Sequence, residues 1–224
     1  MEENNSQGEL LQIRKIELYG SLAQHPLIDQ EAYALIVCHE IGHHLGGQPY
    51  ALGYTSEGQS DYFSTAKCMK RFLEIWLEKT TDSPHQNYPK DSPKEIIELP
   101  FYLNAQCEKS FSSNKERKIC QKNILAGFKV ARWIDFQRNT NSSQIGLRDT
   151  PPPSLLRREP LIAELTLVHG YPSIQCRLDT YVAGALCPID KTLPFSYTND
   201  QSGACLKTDG YDIETRPSCW FIEN

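Results

Sequence analysis

Apolar positions along this chain switch repeatedly between an extended and a helical period. In "LQIRKIELYG", residues 11–20, Ile13, Ile16 and Leu18 fall among charged neighbours and Gly20 closes the run. That pattern predicts a half-buried edge strand. The stretch before it, residues 1–10, is polar and acidic and reads as a disordered tail. "QEAYALIVCHEIGHHL", residues 30–45, is apolar nearly all round as far as Val37, so a central, buried helix is expected there. Asp29 can cap its first turn, and Gly46-Gly47 can end it by accepting left-handed backbone angles.

A second helix is announced by Ser56-x-x-Gln59, a capping-box pattern. It should run to about Leu77, with Tyr62, Ala66, Met69, Leu73 and Trp76 as a core-facing stripe. A third is expected over residues 113–136, with Ile119, Ile124, Leu125, Phe128 and Trp133 apolar. A fourth starts near Ser173 and carries "IQCRLDTYVAGALC". Proline-punctuated polar loops fill residues 79–100 and 137–154. Residues 11–224 therefore read as a single α+β domain, mainly helical, with a small edge sheet, long loops and a cysteine-containing C-terminal extension over 188–224.

Composition narrows the function classes. At 224 residues and net charge −5, with no basic run longer than two adjacent residues, the chain is a poor nucleic-acid ligand. Its longest apolar run, "YALIVC", falls far short of the roughly 18–20 residues of a membrane span. Eight cysteines without paired C-x-x-C knuckles argue for disulfides rather than a zinc ribbon. An extracytoplasmic setting, secreted or periplasmic, is therefore expected, although "MEENNSQGEL" lacks the apolar core of a secretory signal. If residues 173–186 form one helix, Cys176 and Cys187 lie about 16 Å apart along it, too far to bond to each other. Cys107–Cys120 and Cys187–Cys205 are the plausible local pairs, and Cys38 reads as a buried structural residue.

The candidate chemistry lies in His39-Glu40-x-x-His43. Histidines four apart project from one helical face and can grip one ion. Glu40, about 100° round from His39, misses the ion but can act as general base on a water bound to it. Chance produces this pattern in roughly one chain in a hundred of such composition. His44 is a bystander, and His25 and His85 belong to loops.

The third ligand must come from elsewhere. Pro49 stands where a three-histidine signature would place its last histidine, and Cys38, adjacent to His39, points away. The next helix supplies Glu57 and Asp61, again four apart. Residues 46–55 are enough to reverse the chain and lay that helix antiparallel to the first. Glu57 can then complete a His2Glu set for one Zn2+, while Asp61 can accept a hydrogen bond from the non-ligating nitrogen of a zinc histidine.

This combination resembles the gluzincin metallopeptidases, and within them is similar to the soluble single-domain relatives of the CAAX-prenyl-protease and heat-shock zinc protease family. The similarity rests on His39, Glu40, His43, Glu57 and Asp61. "YPSIQCRLDT" adds Pro172 and Arg177, with Tyr171 where that family carries histidine. The resemblance implies a zinc metalloendopeptidase acting on a peptide or unfolded protein. It also implies that "IRKIELYG" is the strand beside the cleft, holding substrate by strand addition. Arg177, Tyr181, His169 and Tyr171 are the candidate substrate or oxyanion donors. Two alternatives remain open at this point. One is a secreted, disulfide-braced binding module with structural zinc or none. The other is an aspzincin-like hydrolase that uses Asp61 as ligand.

Overall fold

The computed structural model describes residues 2–4, 10–12, 14–81, 98–141 and 150–223, which form a mainly helical α+β fold with two small antiparallel hairpins. The first pairs β1 (Glu2–Asn4) with β2 (Leu10–Gln12). The strand expected over 11–20 is therefore corrected. Residues 14–19 have no regular structure and Gly20 opens a short helix, α1 (Gly20–Ala23). Among the described residues no strand lies alongside 14–19, so the alternation there has no ladder to join. Glu2–Asn4 are likewise strand within the expected tail, and residues 1, 5–9 and 13 lie outside the described residues.

Helix α2 (Gln30–Leu45) begins where Asp29 accepts a hydrogen bond from the Ala32 amide at 3.0 Å. It stops at Gly46, and Gly47 takes a φ of 73°, which a side chain would oppose. A tight hairpin of β3 (Tyr50–Ala51) and β4 (Tyr54–Thr55) follows. The next rod is α3 (Glu57–Phe63), a π-helical turn at Ser64–Cys68, and α4 (Met69–Thr81). Its stripe packs inward as expected, with Tyr62, Ala66, Met69 and Leu73 buried. The capping box does not form. Ser56 makes no side-chain cap, and Gln59 Nε2 instead donates to Gly46 O at 2.9 Å, satisfying a carbonyl at the end of α2. In the π turn, the Asp61 carbonyl takes the Ser64 hydroxyl at 2.6 Å and the Thr65 carbonyl takes Asn123 Nδ2 at 2.8 Å.

Contacts pass from Gly46–Gln59 through Gly42–Ser60 to the Cys38–Cys68 bond, so α2 and α3 lie antiparallel. The approach is close because Gly42 has no side chain. A Cβ there would sit 2.9 Å from both Cα and O of Ser60. This crossing sets two histidines opposite two acids.

The remaining frame is α5 (Phe101–Ser110), α6 (Asn114–Asn141) and α7 (Ile174–Leu186). Helix α5 was not expected; it follows Pro100 and buries Leu103 and Cys107. Residues 82–97 and 142–149, in the expected loops, lie outside the described residues. The helix buried along its whole length is α7, not α2, which leaves several turns half-exposed. The cause is the C-terminal stretch, which wraps over α7 and α3. Trp220 Nε1 donates to Thr180 Oγ1 at 2.9 Å, and the indole lies where a Cβ on Gly58 would be, 2.4 Å away. Trp220, Phe221, Phe195 and Leu206 join Tyr62 and Phe63 in one apolar cluster.

All eight cysteines are bridged: Cys38–Cys68, Cys107–Cys120, Cys176–Cys219 and Cys187–Cys205. Both expected local pairs form, Cys176 and Cys187 each bond elsewhere, and Cys38 is a bridge rather than a lone buried thiol. Four such bonds belong to oxidising surroundings. Among the described residues, no helix is long and apolar enough to cross a membrane.

Candidate metal centre

His39, His43 and Glu57 each turn one ligand-type atom toward a shared point, all within 4.8 Å of one another. The histidines turn their Nε2 atoms to the Glu57 carboxylate, and each Nδ1 faces another group. His43 Nδ1 lies 2.8 Å from Thr55 O, and Ser60 Oγ lies 3.1 Å away. A carbonyl can only accept, so Nδ1 carries the hydrogen and Nε2 presents a lone pair. His39 Nδ1 lies 2.7 Å from Asp61 Oδ1, a close ion-pair contact without hydrogen-bond alignment.

The distance of each histidine from the carboxylate suits a small ion. Ligand atoms bound at about 2.0–2.1 Å in a tetrahedron stand about 3.3–3.4 Å apart. The separations are 3.2 Å for His39 Nε2 to Glu57 Oε2 and 3.6 Å for His43 Nε2 to Glu57 Oε1. Glu57 Oε2 is buried and makes no hydrogen bond, its nearest nitrogen being His39 Nε2. Buried carboxylate oxygens seldom stay unpartnered. On these observations, the three side chains fit a metal ion.

Asp61 occupies a different position from the ligands. Its carboxylate is wholly buried and is held by Arg177 through two parallel bonds, Nε to Oδ2 at 2.7 Å and Nη2 to Oδ1 at 2.8 Å. Burial pushes the Asp61 carboxyl up, but the Arg177 and His39 charges outweigh it and hold the group well below the usual carboxylate range. Burial likewise opposes the Arg177 charge, and Asp61 outweighs it. For His39, burial works to lower the pKa while Asp61, then Glu57, raise it, to about 9. Burial also pushes Glu57 up, and the His39 imidazole beside it brings the carboxyl below its ordinary value. Without an ion, a proton on His39 balances this acidic pocket. With both Asp61 oxygens engaged by Arg177 and the Nδ1 side of His39, Asp61 is not grouped with the ligand atoms.

Glu40 follows His39 on α2. It is half-buried and, among the described residues, makes no hydrogen bond or ion pair, so its carboxylate is uncommitted. The other candidates separate clearly. Arg177 is committed to Asp61, and its Nη2 also reaches the Tyr181 hydroxyl at 3.3 Å and Glu57 Oε2 at 3.8 Å. Tyr181 is buried, and burial pushes its phenol well up. Tyr171 is exposed and lies on the rim. The Glu57 charge raises its phenol pKa, Glu40 adds to that, and the Arg177 guanidinium stands 5.8 Å from its ring. His169 is exposed and makes no hydrogen bond to any site residue. His44 contributes its carbonyl, to Tyr197 and Arg14, rather than its ring.

Sequence reasoning had no account of three contributors: Thr55 and Ser60, which fix His43, and Tyr54, whose ring meets that of His43 edge-on at 6.1 Å. Thr55 and Tyr54 belong to the hairpin between the two ligand helices, and a two-residue strand gives almost no periodic signal. Comparison with protein-family models, with curated proteins and with solved structures finds no match.

Proposed function

We propose that this chain is a zinc-dependent metallopeptidase of the gluzincin type, acting outside the cytoplasm on peptides or unfolded proteins. One observation carries it: two histidine Nε2 atoms stand 3.2 and 3.6 Å from the carboxylate oxygens of one glutamate, with an uncommitted glutamate next to one of the histidines. Two imidazoles and a carboxylate suit zinc, and three protein ligands leave a coordination position open. A purely structural ion would have no use for Glu40. Bound at His39, His43 and Glu57, zinc would supply Lewis-acid chemistry, acidifying water and polarising an amide carbonyl.

The chain's own groups do the rest. Glu40 takes the proton of the attacking water and passes it to the leaving amine. Asp61 holds His39 in the tautomer that presents Nε2, and Arg177 holds Asp61. Thr55 does the same for His43. Tyr171, on the rim beside Glu57, is the donor best placed to meet charge developing on the substrate oxygen.

The test measures zinc content and turnover of an unfolded protein substrate on the same preparations. Glu40→Gln should keep zinc while turnover falls by roughly 10²–10⁴. Glu57→Gln should lose zinc. Asp61→Asn should weaken metal affinity or activity by roughly 10–100-fold. Full hydrolysis after verified metal removal would overturn the peptidase assignment. Loss of zinc from Asp61→Asn with retention in Glu57→Gln would exchange the two acids' roles.

A further inference from the structure

A cavity of about 300 Å3 lies on the C-terminal extension and shares no residue with the metal centre. Arg216 forms part of its wall and is only 4% exposed. Its guanidinium carbon sits 3.6 Å from the centre of the Phe221 ring, and Nη1 makes one long bond, 3.4 Å, to Gln59 Oε1. Nη2 is buried without a hydrogen-bond partner, and among the described residues no carboxylate pairs with this arginine. Burial lowers the Arg216 pKa despite the attraction of Tyr62, Asp200 and Glu223. A guanidinium nonetheless stays charged in proteins. Buried charges are otherwise paired, because an uncompensated one costs several kcal/mol. Stacking on Phe221 meets one face of the group and leaves its donor edge unanswered.

The rest of the wall describes what would answer it. Lys207 adds a second cation and Glu223 one anion, so the cavity carries a single net positive charge. The Glu223 carboxylate is already engaged by the Lys207 amide at 2.8 Å. A singly charged anion balances such a site, whereas a doubly charged one would face Glu223 with charge to spare. Phe221 and Ile222 supply apolar surface beside the arginine. We propose that this cavity binds a carboxylate carried on an apolar body, the free C-terminus of a peptide ending in an aliphatic residue, with Arg216 as its charge partner. The carboxylate settles against the wall that Arg216 charges, and Phe221 and Ile222 take the aliphatic side chain.

The test uses the full disulfide-bonded chain and two probes that differ only at the terminal carboxyl, N-acetyl-leucine and N-acetyl-leucinamide. Sulfate is the third arm. Binding is followed by the NMR shifts of the Phe221 and Ile222 amides. N-acetyl-leucine should give saturable shifts, and the amide and sulfate should give weaker ones. Arg216→Gln should weaken binding by roughly tenfold or more, as for a buried charge partner. Should that variant fail to fold, Lys207→Gln, at an exposed position, should weaken it roughly two- to fivefold. No saturable response to N-acetyl-leucine, an equal response to the amide or to sulfate, or an affinity that neither substitution changes would overturn the proposal.

Discussion

Removing either member of the Asp61–Arg177 pair should cost more than removing both. Asp61 is wholly buried and the Arg177 side chain is 8% exposed, so water screens neither charge. Arg177→Met leaves the carboxylate with His39 alone. Asp61→Leu leaves the guanidinium with the Tyr181 hydroxyl at 3.3 Å and Glu57 at 3.8 Å. Stranding one partner of a buried pair costs about 3–5 kcal/mol, whereas an apolar replacement of both is often near neutral. The double variant should therefore lose no more than either single one, giving a coupling energy of about 3 kcal/mol or more. His39 loses its carboxylate in both Asp61→Leu backgrounds, so that loss cancels in the cycle. The assay is urea unfolding of the four metal-free proteins at pH 7 with disulfides intact. The depressed Asp61 carboxyl makes its contribution above about pH 3.9 and loses it as pH falls further, so pH 7 reports all of it. Additivity within about 0.5 kcal/mol would refute the idea that the two charges depend on each other.

Three further outcomes are expected. In the metal-free protein the proton on His39 stabilises the fold fully below about pH 6.5. That contribution, about 3 kcal/mol, is lost as pH rises through about 9, so urea midpoints should fall across this window. Calorimetric zinc titrations in buffers of different ionisation enthalpy should then show about one proton released near pH 8, and no release would mean His39 is already neutral there. Gly42→Ala should cost about 1–3 kcal/mol by pushing the ligand helices apart. Its zinc affinity should drop as well, and an unchanged affinity in a competition titration would show that the crossing does not set the ligand spacing. Replacing Cys38 and Cys68 together by alanine opens a loop with a sequence separation of 30. The urea midpoint should report a loss of about 3–4 kcal/mol, and no change would show the bridge to be idle.

The parts of this structure that were legible in the sequence are those where a local rule and the tertiary fold agree. Asp29 and Gly47 delimit α2 because a cap and a left-handed glycine need only their neighbours. The four-residue spacings 39–43 and 57–61 placed two pairs on two helix faces, and the short connection between them fixed their meeting. The failures are cases where a distant partner decides. Gln59 left its capping box for the carbonyl of Gly46, and Ile16 and Leu18 alternate with no strand among the described residues to pair with. The carboxylate that would engage Arg177 was hidden, since its partner lies 116 residues away. Helix α5 gives no sequence signal because two buried side chains, Leu103 and Cys107, make too narrow a stripe.

The π turn at Ser64–Cys68 gives the rod one residue to spare between its two tasks. Upstream, Glu57 and Asp61 must face the histidines; downstream, Met69 and Leu73 must face the core. A π turn closes its hydrogen bonds over one residue more than an α turn, so it takes in an extra residue while the halves on either side keep nearly the phase of an unbroken α-helix. A chain shortened by one residue within 64–68 can therefore wind a plain α rod with both faces still in register. The same loss within 58–60 meets no such slack, and at about 100° per residue it would turn Glu57 away from the face that Asp61 keeps. Chain length is thus critical to the metal centre inside α3 and forgiven one turn later.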